Sequence, residues 1–249
     1  MKVKIGSIIE TSLVDVIGAP SFVIWFSGCN FRCPWCHAAP LVFGAGEWIE
    51  INELIEKIKE SAYAVEYVQV TGGEPTLQPE GLEKLFEKVK ALGLKTSLDT
   101  NSSNPKVIKK LVNKKLIDHY ATDLKTDLIA EKYSKVIGVK DKETVEKIKK
   151  SLSLVKSVPL VEIRTTFVPK LIAENDIING LKKIKRILKN KTFIFVLQQF
   201  YPFENLIDKE YSKREVIAHE ELIEIAKKIK KASNIKKVFV RSKKGIEEV

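Results

Sequence analysis

The chain predicts an α/β fold, an open partial (βα)6 barrel of parallel strands, and three observations carry that expectation. From Ser21 onward, short apolar runs alternate with amphipathic stretches of helical period. The runs are close to continuously apolar, as strands covered on both faces must be. Residues with binding chemistry stand where the runs end, the edge at which parallel α/β folds gather their ligands. A closed eight-unit barrel takes ~250 residues. This chain has 249 residues but shows six clear units, so one side should stay open.

Phe22-Val23-Ile24-Trp25-Phe26 is the first strand, and Ile51, Leu54, Ile55 and Ile58 mark the helix after it. Tyr67–Val70 is the second strand; Leu82, Leu85, Phe86, Val89 and Leu92 form a helix that Gly93 ends. Leu94–Leu98 is the third strand, followed by a helix that begins after Pro105. The fourth runs from Ile117 to Leu124, with a helix over Thr144–Val155. Leu160–Val168 is the fifth, and a helix through Ile177, Leu181, Ile184 and Leu188 leads to the sixth, Phe193–Leu197. A final helix over Glu215–Lys231 precedes a short strand at Val238–Val240. No linker or low-complexity stretch interrupts this order, so a single domain over 1–249 is expected, with a core at about 18–202 and an extension at about 203–249.

Hydrophobic residues make up 44% of the chain, which excludes a disordered tail, and no apolar stretch nears the ~18 residues of a membrane helix. Met1–Gly6 lacks the apolar segment of a secretion signal, and free thiols without an export signal lead us to expect a reducing cytoplasm. The formal net charge is +11. Most lysines fall on polar helix faces, and the densest group, Lys227–Lys231, has no interleaved aromatic residue to stack on bases. A solvated surface is therefore expected there, and nucleic acid is not expected as a partner.

All the cysteines of the chain, Cys29, Cys33 and Cys36, lie in one eight-residue run. An odd count at such short spacing suits a metal site and not a disulfide scaffold. Three thiolates on a four-iron cluster leave one iron open to another ligand, whereas zinc would need a fourth protein ligand. His37 is the candidate for that place, but neighbouring residues rarely aim at one tetrahedral centre. Zinc, or an unrelated thiol loop, stays open at this point.

Each later strand adds to the same rim. Thr71-Gly72-Gly73-Glu74-Pro75 follows the second, Asp99-Thr100-Asn101 the third, and Asp123-Leu124-Lys125 closes the fourth. Arg164 lies along the fifth, and Gln198-Gln199 ends the sixth. Singly these are ordinary: a glycine turn, helix-capping aspartates, a paired arginine. Together they offer carboxylates for an ammonium (Glu74, Asp123) and cations for a carboxylate (Arg164, Lys125), a match for a zwitterionic amino acid.

With these residues in view, the chain resembles the radical S-adenosylmethionine (SAM) superfamily. The spacing of Cys29, Cys33 and Cys36 is that superfamily's first signature, and Gly72-Gly73-Glu74 matches its second. Cys33–His37, Thr71–Leu77, Leu98–Asn101 and Asp123–Lys125 resemble, more narrowly, the glycyl-radical enzyme activating proteins, in particular the branch assigned to anaerobic ribonucleoside-triphosphate reductase. The resemblance runs from about Lys4 to Tyr201.

It implies a [4Fe-4S] cluster on Cys29, Cys33 and Cys36, with SAM on the open iron. It further implies one-electron cleavage of SAM to a 5′-deoxyadenosyl radical, and removal of hydrogen from a glycine of a partner glycyl-radical enzyme. The electron would come from a low-potential donor such as flavodoxin or ferredoxin. By the family pattern Gly72, Gly73 and Glu74 hold the amino end of SAM. The backbone around Trp35 and His37 meets adenine, and Asp99, Asp123, Lys125 and Arg164 surround the ribose or carboxylate.

This chain carries Thr100-Asn101-Ser102 where many relatives have Thr-Asn-Gly. Two other readings stand beside the activase. One is a radical SAM enzyme acting on a small molecule, such as a 7-carboxy-7-deazaguanine synthase-like enzyme. The other is a structural metal-binding module with a basic nucleic-acid-binding surface.

Overall fold

The computed structural model describes residues 1–189 and 191–249. In chain order the elements are β1 (Lys2–Val16), β2 (Ala19–Phe26), α1 (Ala39–Val42), β3 (Glu47–Glu50), α2 (Ile51–Ser61), β4 (Tyr67–Gly72) and α3 (Pro79–Ala91). There follow β5 (Lys95–Asp99), α4 (Pro105–Asn113), β6 (His119–Asp123), α5 (Ala130–Ile137), α6 (Thr144–Leu154) and β7 (Leu160–Phe167). The last are α7 (Glu174–Ile187), β8 (Ile194–Gln199), α8 (His219–Ser233), β9 (Lys237–Ser242) and β10 (Gly245–Glu248).

All the strands belong to one sheet, in the order β10-β9-β8-β7-β6-β5-β4-β2-β1-β3. β2 and β4 through β9 pair in parallel, each beside its predecessor, while β1, β3 and β10 are antiparallel additions at the two ends. β3 and β10 do not meet, so the sheet stays unclosed as the sequence predicts. No helix among the described residues is long and apolar enough to cross a membrane.

The helical periodicity translates directly into packing. Ile51, Leu54, Ile55 and Ile58 form the buried stripe of α2, and Leu82, Leu85, Phe86 and Val89 that of α3. Phe22, Val23 and Ile24 are all fully buried, so β2 is covered on both faces. The two sides of the sheet differ in chemistry, however. Register sets Gln69 beside Ser97 and Ser97 beside His119, and with Glu162 these side chains are completely buried. Ser97 Oγ donates to Gln69 Oε1 at 3.0 Å and lies 2.9 Å from His119 Nδ1. The layer is satisfied only in part, since Gln69 Nε2, His119 Nε2 and Glu162 Oε2 are buried without a hydrogen-bond partner, which is the costly way to bury polar groups.

Several elements escape the sequence reading. The strand expected at Val238–Val240 spans Lys237–Ser242 and pairs in parallel with β8, so the parallel set numbers seven strands and not six. β1 is missed because bulges between Ile5 and Ser7, Ile9 and Ser12, and Ser12 and Val16 break its alternation. Those bulges bend the hairpin until the Asp15 carbonyl accepts a hydrogen bond from Arg164 Nη2 at 2.9 Å, far across the sheet. β3 and β10 are four-residue strands, too short to give a pattern.

α5 is also missed, being eight residues long. Gly138 ends it with φ 67°, and a Cβ there would sit 2.3 Å from the Arg32 carbonyl oxygen. Glycine is thus required both by the left-handed cap and by the close approach. The last turn of α5 is docked on the cysteine loop, where Arg32 N donates to the Ile137 carbonyl at 2.8 Å.

Candidate active site

The carboxyl ends of the parallel strands surround a cavity of about 590 Å³. Cys29, Cys33, Trp35, Cys36, His37, Gly72, Gly73, Asp99, Asp123, Lys125 and Arg164 all line it. The loop after β2 supplies the thiols, with Cys33 buried and Cys29 and Cys36 half-buried. Its shape comes from its neighbours. Gly28 N donates to the Leu41 carbonyl at 2.7 Å, and Glu74 N donates to the Gly28 carbonyl at 2.7 Å. A Cβ on Gly73 would fall 2.1 Å from that Gly28 oxygen, so only glycine lets the turn after β4 lie against the cysteine loop.

Burial pushes the Cys33 thiol up to about 12 and the Cys29 thiol up to about 11, and it raises Cys36 as well. Lys125 opposes the shift at all three thiols. Its Nζ donates to Asp123 Oδ2 at 2.8 Å and lies 5.9 Å from the Trp35 ring centroid. Burial works against charge on Lys125, but Asp123 and Cys33 outweigh it and keep the ammonium protonated. Three buried thiols beside a single cation are poor thiolates by themselves and good ones beside iron, which carries its own positive charge. Three thiols from one loop, all lining the same cavity, fit an iron–sulfur cluster.

Glu74 stands apart from the rim. It is completely buried and outside the cavity wall, although its sequence position suggests an ammonium ligand. Its Oε1 accepts from Thr76 N at 3.0 Å, Thr76 Oγ1 at 2.5 Å and Thr100 Oγ1 at 2.7 Å, and its Oε2 accepts from Asn101 N at 2.7 Å. The carboxylate ties the turn after β4 to the turn after β5. Those hydrogen bonds offset part of the burial, which still raises its pKa.

Arg164 is likewise committed within the chain. Nε donates to Glu162 Oε1, Nη1 to Asp99 Oδ2 at 2.8 Å, and Nη2 to the Asp15 carbonyl. Asp99 Oδ2 also accepts from Thr71 Oγ1 at 2.9 Å. Burial opposes ionisation of Glu162, yet Arg164, His119 and Arg241 together hold its pKa down to about 2.

Ser102 replaces the glycine of the related motif at φ 64°, a conformation that costs a serine ~1 kcal/mol. Its buried Oγ lies 2.5 Å from Tyr120 Oη and 2.6 Å from Thr122 Oγ1. Ser102→Gly relieves the backbone but leaves the Tyr120 hydroxyl short of a partner, a loss of ~1–3 kcal/mol. Thermal unfolding should rank wild type above Ser102→Gly and Ser102→Gly above Ser102→Ala, which keeps the strain and loses the bonds. Equal midpoints for wild type and Ser102→Gly would show that the hydroxyl contributes nothing.

The wall also includes Asp15, Thr166, Phe203, Arg241 and Gly245, which the sequence reading does not select. Arg241 ends β9, so the rule that found the other rim residues applies to it too. Asp15 gives no such signal, because its strand is itself not legible. Gln198, Gln199 and Tyr201 line the cavity as well. The Tyr201 hydroxyl bonds Gln199 and accepts from the backbone N–H of Lys243, which fastens the turn before β10 to the site.

Comparison with known proteins matches this architecture. The model of the Radical SAM superfamily matches residues 23–200, and the chain belongs to that superfamily. Membership implies a [4Fe-4S] cluster and SAM. More particularly, the chain is 32% identical over 252 residues to a Methanocaldococcus jannaschii protein provisionally named glycyl-radical enzyme activating enzyme MJ1227, with 100% of both chains covered. It is also 38% identical over 89 residues to the 7-carboxy-7-deazaguanine synthase of Hyperthermus butylicus, a match that spans 35% of this chain and 37% of that one.

Among solved structures, Streptococcus suis SuiB bound to precursor peptide SuiA superposes with a TM-score of 0.64 at 18% identity, covering 89% of this chain and 48% of that one. TYW1 with a lysine-pyruvate adduct superposes with a TM-score of 0.61 at 19% identity, covering 90% and 77%. These two likenesses are of fold.

Proposed function

We propose that this protein is an activase that cleaves SAM reductively and takes hydrogen from a glycine of a partner glycyl-radical enzyme, with anaerobic ribonucleotide reductase as the candidate partner. The observation that carries this reading is the full-length match to the M. jannaschii protein of that provisional name. A low-potential donor such as flavodoxin or ferredoxin would supply the electron, in a cytoplasmic setting.

Cys29, Cys33 and Cys36 would hold the cluster. When bound, it supplies a one-electron reduction of the SAM sulfonium and thereby a hydrogen-abstracting species. The chain supplies the surroundings. Lys125 offsets the negative charge gathered by three thiolates, and Asp123 keeps it in place. Gly72 and Gly73 let the turn after β4 lie against Phe26 and Gly28, and their backbone would meet the amino end of SAM. Trp35 lies buried beside the thiols and excludes water there. Asp99, fixed by Arg164 and Thr71, presents a carboxylate of set orientation to a ribose or ammonium.

Anaerobic reconstitution with iron, sulfide, SAM and a reductant, in the presence of candidate glycyl-radical proteins, tests the reading. The expected result is an electron paramagnetic resonance doublet on the partner, together with methionine release. SAM cleavage without a partner radical, across the plausible candidates, would instead favour a small-molecule radical SAM enzyme. The local match to 7-carboxy-7-deazaguanine synthases supports that second reading.

A further inference from the structure

We propose that Arg241 is the anion receptor of the cavity and takes a carboxylate group from a bound ligand. Arg241 lies on the seventh parallel strand, and the cysteine loop follows the first, so the two stand at opposite ends of the parallel set. It lines the cavity and keeps 16% of its side chain exposed. Its Nε and Nη2 are buried without a hydrogen-bond partner. The nearest carboxylate oxygen is Glu162 Oε1 at 3.7 Å, and that atom already accepts from Arg164 Nε.

The other cations of the wall are matched: Lys125 has Asp123, and Arg164 has Asp99, Glu162 and the Asp15 carbonyl. Arg241 differs from both: its one ion pair among the described residues is the long contact with Glu162, which it shares with Arg164. Burial, with Arg164 close by, lowers its pKa from the ordinary guanidinium value, and Glu162, Asp15 and Asp99 offset only part of that. A guanidinium presents adjacent donors in a fixed fork that fits the two oxygens of a carboxylate, and an unmade bond at a buried donor is costly. An entering carboxylate corrects both deficits at once.

Two sources carry that chemistry: a carboxylate on the molecule acted upon, and the aminocarboxylate of SAM. The SAM arm of the experiment below distinguishes them. The inference takes the cavity as the substrate site, and its test is a binding measurement without turnover, so it stands or falls apart from the glycyl-radical assignment.

Trp25 and Trp35 line the cavity and report binding by fluorescence. The full chain is titrated with N-acetylglycine, with its uncharged N-methylamide, and with SAM after cluster reconstitution, in wild type, Arg241→Gln and Arg241→Lys. Wild type should bind the acid about tenfold more tightly than the amide. Arg241→Gln should erase that gap, Arg241→Lys should keep part of it, and SAM affinity should stay within about twofold. A tenfold loss of SAM affinity in Arg241→Gln with an unchanged acid–amide gap would support the receptor and make SAM the source. Equal binding of acid and amide to wild type, together with SAM affinity unmoved by either variant, would overturn it. Urea unfolding of each variant checks the fold, and the lysine variant keeps the test decisive if the glutamine variant is unstable.

Discussion

Arg164→Met should destabilise the protein by ~3–5 kcal/mol at neutral pH, the usual cost of removing one member of a buried ionic network. Methionine fills much of the volume but leaves Glu162 completely buried without its principal counter-charge, and it frees Asp99 from its only arginine bond. It also releases the bent β1–β2 hairpin from β7, since Asp15 loses its donor. The pH dependence gives the effect a signature. Glu162 has a folded pKa of about 2, depressed from an ordinary 4.5. Its contribution is therefore complete above pH 4.5 and is lost as pH falls toward 2. The gap between wild type and variant, read from urea unfolding, should be widest at neutral pH and narrow below pH 4.5. A gap that stays constant down to pH 2 would show that packing, and not charge, makes the difference. Arg164→Lys should fall between the two, because an ammonium keeps the charge but lacks the fork that reaches three acceptors.

Cys33→Ala should reduce SAM cleavage to the level of a protein-free control and abolish stable iron incorporation. The thiol is buried, so its removal leaves a small void worth ~1 kcal/mol, and the chain should still fold. Iron and sulfide content after anaerobic reconstitution, set beside circular dichroism of the same sample, separates loss of the cluster from loss of the fold. His37→Ala is the companion variant. His37 lines the cavity with its ring against those of Trp25 and Phe203, and it follows a cysteine directly, so iron content should persist without it. Retention of iron in Cys33→Ala, or its loss in His37→Ala, would overturn the three-cysteine assignment.

What was legible in the sequence is what local spacing can carry. The cysteine run, the Gly72-Gly73 turn and the strand-end residues Asp99, Asp123 and Lys125 could be placed on one rim because a parallel sheet sends all its carboxyl ends to one side. Arg164 could be placed there too, but its partners divide. Glu162 stands two residues away on the same strand, within reach of its alternation, whereas Asp99 meets it across the sheet, which no window of sequence contains. Glu74 shows the opposite difficulty. Its position beside the glycines suggests a ligand, while its true partners are Thr76, two residues on, and Thr100 and Asn101, which become neighbours only when β4 and β5 lie side by side. β1 stayed hidden because its bulges scramble the alternation that identifies a strand, and with it Asp15. Arg241 was missed for a simpler reason: the strand that bears it was read as an appendage to the barrel, when it is the seventh member of the parallel set.

The cysteine loop is gripped by backbone bonds from three directions: the segment carrying α1, the turn after β4, and the end of α5. None of these contacts involves sulfur. The receptacle is thus braced by polypeptide contacts that need no iron, unlike small zinc domains, where metal entry and chain collapse are one event. Loading and loss of the inorganic centre become a matter of chemistry at a standing socket, so oxidative damage there leaves behind a scaffold ready for repair.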